Sequence, residues 1–276
     1  MGDIEVNGTR LAYDEAGSGP AIVFSHAALA DRRMWDHQFE HLTETNRVIR
    51  YDWRGYGDSA DATGTYSHAE DLLALLDALA VEDATLVGCS MGGGHCVDVA
   101  LAAPERVTGL VLFCAGLNGR TWPEPMQEYV KEHVRPAVPA ERIAAYQRGE
   151  PVRDGDARAM AEAHGRFLIA GPGRDPSTMD AAVYAKAMDM ATGVFRRLWS
   201  GPPSREKETG PPNLGGITAN TLVVNGTEDA PWIQDLQNEI ARTVPRARRV
   251  DLPDTGHLPP LERPDESTKL IAAHAQ

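Results

Sequence analysis

This sequence predicts an α/β fold: a mostly parallel central sheet with helices on both faces and a helical cap inserted partway. Three observations lead there. Short apolar runs, fit for buried strands, alternate with stretches whose apolar residues recur at helical spacing. An Asn-Gly pair near the start marks a tight hairpin, hence an antiparallel edge. The alternation stops near Leu117 and resumes near Asn220, with glycine and proline punctuating the interval. Strands separated by crossover helices lie parallel, with the helices packed on the sheet.

The elements follow in order. Asn7-Gly8 separates "IEV" from "TRLAYDEA". Ala21–Ser25 (AIVFS) is a short apolar strand suited to burial on both faces. Met34, Trp35, Phe39 and Leu42 then recur at helical spacing, and Arg47–Tyr51 (RVIRY) is the next strand. Leu72, Leu75, Leu76 and Leu79 form one stripe of a helix beginning near Ser67. Ala84–Cys89 is a strand, a helix runs from there until Pro104, and Val107–Ala115 is a buried strand. The expected cap, residues 117–216, holds helical candidates at Pro125–Val134, Ala140–Gln147, Ala157–Ala170 and Met179–Ala191. It has no convincing strand, and Gly201–Gly216 is an exposed connector. The core, residues 1–116 and 217–276, resumes with a strand at Asn220–Gly226. A helix at Ile233–Thr243, a strand at Arg248–Leu252 and a helix at Asp265–Ala273 complete it. An insertion after a strand's carboxyl end lies above the place where such sheets bind ligands.

Composition bounds the function. The 276 residues carry a formal charge of −13, which disfavours nucleic acid and anionic membranes as partners. Cys89, Cys96 and Cys114 lie among small or apolar residues without metal-ligand spacing, so neither a disulfide framework nor a metal site is expected. No leader-like opening and no bilayer-length apolar run is present, and a cytoplasmic protein is expected.

One short stretch carries chemistry. Gly88-Cys89-Ser90-Met91-Gly92 fits G-x-S-x-G, a weak signal alone. Here a strand precedes it and a glycine-rich helix start follows. That context lets a serine project its hydroxyl above the sheet at a helix amino end, where developing negative charge is favoured. The bland alternative is a flexible turn with Ser90 as a helix cap. A serine hydroxyl needs a base, usually histidine oriented by a carboxylate. His257 in "LPDTGHLPPLERP" and Asp229 in "NGTEDAPW" each follow a strand's carboxyl end, at the same edge as Ser90.

Taken together, these segments resemble the α/β-hydrolase superfamily over nearly the whole chain. "VFSHAALADRRMW" resembles its first strand and oxyanion loop, and "YDWRGYGDS" its D-x-R-G-x-G-x-S loop. "GCSMGG" resembles the nucleophile elbow, "LVVNGTEDAP" the acid loop and "TGHLPPLERP" the histidine loop. The resemblance implies Ser90 as nucleophile, Asp229 as acid and His257 as base, with no cofactor. Glu228 is the competing acid; the family's G-x-x-D, read from Gly226, selects Asp229. His26 is expected to be structural, His95 to pack, and Asp52 and Arg54 to fix a turn or an ion pair. The family's His-Gly is His26-Ala27 here, a departure at the oxyanion loop. By position, the oxyanion donors are the N–H groups of Ala28 and Met91.

Trp122, Phe167, Met188, Phe195 and Trp199 are candidates for an apolar cavity in the cap, with Trp199 chosen as the substrate-binding residue. Arg196 and Arg197 are surface charges or contacts for an acidic substrate. The expected activity is hydrolysis of a small or medium carboxylic ester or lactone, as in small esterases and enol-lactonases. The expected partner is that small molecule, with a homodimer left open. Alternatives on the same fold are carbon–carbon bond hydrolysis and cofactor-free haloperoxidase or perhydrolase chemistry. Epoxide hydrolases and dehalogenases of this superfamily use an aspartate nucleophile, which Ser90 disfavours. A small-molecule binding protein with a slow triad is the non-enzymatic alternative.

Overall fold

The computed structural model describes residues 1–275. β1 (Gly2–Val6) and β2 (Thr9–Ala16) form the opening hairpin, with Asn7 and Gly8 at φ 45° and 69°. β3 (Ala21–Ser25) leads through a 3₁₀ turn at Arg32–Trp35 into α1 (Asp36–Leu42). β4 (Arg47–Tyr51), the short β5 (Gly64–Tyr66) and α2 (His68–Ala78) follow. The Ser67 side chain caps α2 by accepting the Glu70 N–H. β6 (Ala84–Cys89), α3 (Met91–Ala102) and β7 (Val107–Phe113) complete the first part of the core.

Between β7 and the next sheet strand lies the cap. It contains α4 (Glu124–Tyr129), α5 (Ala140–Gln147), α6 (Asp154–His164), α7 (Ala181–Ser200) and a three-residue strand, β8 (Ser204–Glu206). π-helical turns extend α4 over Val130–Val134 and α6 over Gly165–Ala170. β9 (Asn220–Gly226), α8 (Pro231–Thr243), β10 (Ala247–Leu252), α9 (Pro259–Glu262) and α10 (Pro264–His274) return to the core.

The main sheet has the order β1-β2-β4-β3-β6-β7-β9-β10. β1 and β2 are antiparallel to their neighbours, and the strands from β4 to β10 are mutually parallel. Alternate residues of one strand face opposite layers. Val23, Leu86, Leu110, Leu112 and Val223 pack with α2, α3 and α8. Ile22, Phe24, Val87, Val111, Phe113, Leu222 and Val224 pack towards α1 and α10. Burial on both faces explains why these strands are continuous apolar runs rather than alternating ones.

Two expectations need correction. The connector at Gly201–Gly216 contains β8, which pairs in parallel with β5. Ser-Arg-Glu has no apolar signal; its pairing is a backbone matter that only proximity creates. The last cap helix continues past Ala191 to Ser200, carrying Gly193 within it, because Phe195 and Trp199 are buried on its cap-facing side. No described helix is long and apolar enough to cross a membrane.

Candidate active site

The strand order reverses between β3 and β6, the two strands that flank the site. Their register pairs Ser25 with Gly88. Ala28 and Met91 each lie three residues beyond that pair, so the two loops rise side by side from the carboxyl edge. Such a reversal opens a crevice, the usual ligand site of an α/β sheet.

Ser90 occupies the bend between β6 and α3 with φ 53° and ψ −125°, a region costly for a non-glycine residue. Neighbouring bonds hold it there. Its N–H donates to Phe113 O at 2.9 Å, and its carbonyl accepts from Gly93 at 2.9 Å and Gly116 at 2.8 Å. Glycine is required alongside: a Cβ on Gly92 would overlap the carbonyl oxygens of His26 and Ser25. The Ser90 side chain makes no cap hydrogen bond to α3, which removes the helix-cap alternative. Its Oγ instead lies 2.9 Å from His257 Nε2.

His257 Nδ1 lies 2.6 Å from Asp229 Oδ2, and both side chains are buried. Asp229 Oδ1 accepts the N–H of Ala230 at 2.7 Å. Because Nδ1 donates its proton to a carboxylate, Nε2 is left as the acceptor facing the serine. Glu228 is exposed, whereas Asp229 is buried against the imidazole, so the geometry selects Asp229. The β9 and β10 loops are tied together by the Glu228 N–H, which donates to Thr255 O at 2.9 Å.

The N–H groups of Ala28 and Met91 have no acceptor among the described residues. Ala27, standing where the family has glycine, is buried and does not adopt left-handed φ, so its methyl is accommodated. Its carbonyl accepts the Ala30 N–H at 3.0 Å and the His26 Nδ1–H at 2.9 Å. His26 Nε2 accepts the Trp53 N–H at 3.1 Å. An amide can only donate, so His26 is the neutral Nδ1–H tautomer, and burial lowers its pKa. His26 therefore braces the oxyanion loop, as expected. Asp52 accepts the Arg32 N–H at 2.7 Å and the Asp58 N–H at 2.8 Å, and Arg54 pairs with Asp71 at 2.6 Å. Both are structural. His95 is buried against Trp53 and His68, where desolvation lowers its pKa to about 3.

The site contains more than the sequence motifs named. Cys114 has φ 44° and is fully buried. Its Sγ, the Asp229 carboxylate and a His257 ring nitrogen all lie within 4.8 Å of one another. Burial pushes the Cys114 thiol well up, which keeps it protonated. These are sulfur, oxygen and nitrogen donors, but Asp229 and His257 stand at hydrogen-bond distance, closer than the roughly 3.4 Å edge that tetrahedral zinc would impose. A proton suits that gap better than a metal. Cys89 Sγ faces His257 O at 3.7 Å. In sequence both cysteines looked only like small apolar residues, and nothing in the spacing linked them to Asp229.

Trp199 packs within the cap. It is buried inside the cap with ring centroids 5.7 Å from Tyr146 and 5.6 Å from Phe195. It belongs to the cap's apolar cluster, whereas Ala28 and Met91 pack against the sheet's. A tryptophan on the apolar side of a long helix fills the layer beneath it. Phe195 shares that core. Phe167 stacks on Tyr129 and approaches Trp232, and Trp122 packs near Ala230 and Ile233 beside Cys114. Arg197 donates to Gly57 O at 2.6 Å and Ser59 O at 2.8 Å, which ties the cap to the core, and Arg196 pairs with Asp154 at 3.0 Å within the cap. A cavity of about 1220 Å³ between α6 and α7 is lined by Tyr129, Arg158, Gly171, Tyr184 and Met188, and no triad residue lines it.

The elbow, the three loops and the sheet order define one class, and residues 22–269 match the model of the alpha/beta hydrolase family, to which the chain belongs. Its structure is similar to the enol-lactonase of Burkholderia xenovorans, with a TM-score of 0.74, 26% identity and coverage of 99% of this chain and 98% of that one. It is similar also to a thermophilic esterase from Thermogutta terrifontis, with a TM-score of 0.76, 27% identity and coverage of 99% and 97%. Among curated sequences, a Mycobacterium tuberculosis protein provisionally described as a non-heme bromoperoxidase is 28% identical over 263 residues, which span 92% of this chain and 93% of that one.

Proposed function

We propose that the protein hydrolyses a small or medium carboxylic ester or lactone through an acyl-enzyme on Ser90. The observation that carries this reading is the continuous hydrogen-bonded line from Ser90 Oγ through His257 to Asp229. In the proposed mechanism His257 Nε2 takes the Ser90 proton as Oγ attacks the carbonyl carbon. Asp229 holds the ring in its Nδ1–H tautomer and stabilises the imidazolium. The Ala28 and Met91 N–H groups stabilise the oxyanion of the tetrahedral intermediate, each contributing about 3 kcal/mol. His257 then gives its proton to the leaving alkoxide. Water, activated by the same imidazole, releases the acid and restores Ser90.

The lactonase and esterase neighbours support this substrate class. p-Nitrophenyl acetate and butyrate, a simple lactone and a vinylogous diketone test the reading in parallel. Turnover of the first three is expected. Exclusive turnover of the diketone would reassign the chain to carbon–carbon cleavage. In Ser90→Ala, ester turnover should fall roughly a millionfold. A fluorophosphonate should label wild type and not the variant.

The bromoperoxidase-named relative favours one second reading, cofactor-free perhydrolysis on the same serine. Ser90 would then be acetylated by acetic acid with loss of water, and hydrogen peroxide would take the acetyl group as peracetic acid and restore the serine hydroxyl. Bromination of monochlorodimedone that depends on both acetate and Ser90 distinguishes it from simple hydrolysis.

A further inference from the structure

Gly256 immediately precedes His257, and its N–H donates to Glu262 Oε1 at 2.9 Å. The other Glu262 oxygen accepts from Arg174 Nη1 at 2.6 Å. The two paired side chains are 6% and 16% exposed, so water screens this ion pair weakly. Glu262 lies on α9, in the core; Arg174 belongs to the cap. The cap stretch containing Arg174 also presses on the acid loop. Gly171 has φ 101°, and a Cβ there would overlap the Glu228 carbonyl oxygen, one residue before Asp229. A Cβ on Gly256 would likewise overlap the Ile169 carbonyl oxygen. One stretch of cap thus touches both loops that carry the acid and the base.

We propose that Glu262 is a positioning residue for His257, and that Arg174 makes its hold depend on the cap being seated. This rests on the Ser90–His257–Asp229 reading above. The carbonyls around His257 are held from the sheet side: Thr255 O by the Glu228 N–H, and Gly256 O and His257 O by the Cys114 and Cys89 thiols. The Gly256 amide is held from the other side, by Glu262. Burial pushes the Glu262 carboxyl up, and the Arg174 guanidinium opposes that push. When the cap segment is seated, Glu262 is a charged, anchored acceptor and the imidazole faces Ser90. When it lifts, the carboxylate loses its buried cation and the Gly256 anchor weakens. Substrate entering beneath the cap is thereby coupled to alignment of the base.

The test uses the full-length protein as wild type, Glu262→Ala, Glu262→Gln, Arg174→Met and the Arg174→Met/Glu262→Ala double variant. Two readouts are taken: kcat and KM on p-nitrophenyl acetate, and the rate of inactivation by a fluorophosphonate, which requires Ser90 activated by His257 but neither deacylation nor water. Glu262→Ala should lower kcat and the labelling rate at least tenfold, with KM within threefold of wild type. Glu262→Gln should recover most of that loss, because its carbonyl still accepts the Gly256 N–H. Arg174→Met should lower kcat about threefold or more alone and have no further effect in the Glu262→Ala background. Labelling of Glu262→Ala at the wild-type rate, or losses that multiply in the double variant, would overturn the proposal. If Glu262→Ala does not fold, Arg174→Met carries the test: an unchanged kcat and an unchanged labelling rate in that variant would overturn the proposal. Wild type that resists the fluorophosphonate altogether would defeat the serine-hydrolase reading instead.

Discussion

His257 Nε2 lies 2.9 Å from Ser90 Oγ, although 167 residues separate them along the chain. The sheet makes this possible. β6 ends beneath the serine, and β10, three strands away in the sheet, ends beneath the loop that turns back to reach it. Neither loop has to be long, because parallel strands deliver all their carboxyl ends to one edge.

The acid can be identified by two neighbouring substitutions. Asp229→Asn should lower kcat about ten-thousandfold, because an amide no longer fixes the Nδ1–H tautomer. Glu228→Gln should leave kcat within twofold, since Glu228 is exposed beside the site. Steady-state assays on one ester decide it; equal losses would reject Asp229 as the orienting residue.

Gly92→Ala probes the close approach of α3 to the oxyanion loop. The new Cβ would meet two backbone carbonyls, which cannot rotate away as a side chain tip could. Stability in urea should fall by about 3 kcal/mol. Ester turnover should fall with it, because Met91 and Ala28 would be pushed apart. A wild-type urea midpoint would show that this packing is looser than described.

Trp199→Ala separates cap packing from substrate contact. Removing a buried tryptophan should cost about 3–5 kcal/mol of stability. Trp199→Phe, a gentler change, should keep KM for p-nitrophenyl butyrate within twofold. A large rise in KM with unchanged melting would restore Trp199 to the substrate pocket.

Acid should destabilise the fold before the ordinary carboxylates titrate. Burial depresses the pKa of His26 and His68, and takes His95 to about 3. Between the ordinary histidine value of 6.5 and that lower limit, the unfolded chain binds protons that the folded one refuses. Stability is then fully present above 6.5 and falls as pH drops, by up to about 1.4 kcal/mol per pH unit for each such histidine. Asp98, Glu206 and Glu262, whose carboxyls burial pushes up, oppose the trend. Urea midpoints measured from pH 7 to 4.5 should therefore decline, and His95→Gln should flatten the slope. An unchanged slope in His95→Gln would remove His95 from this account.

Much of this protein is local in origin, and that part was legible in its sequence. Apolar runs such as AIVFS and TLVG mark strands because both sheet faces are covered, and leucines at 72, 75 and 76 mark a helix because they share one face. That Ser90, Asp229 and His257 stand at strand ends was readable because the elbow and loop motifs follow apolar runs. What the linear order withheld depends on neighbours far away. The pairing of β5 with β8 joins residues with no apolar signature. Trp199 reads the same whether it lines a pocket or fills the cap. Cys114 becomes part of the triad's surroundings only when β7 ends beside the acid loop, and Glu262 meets Arg174 only when the cap is seated. Periodicity records which face a residue occupies; what stands opposite that face is settled by packing, which no single stretch of chain encodes.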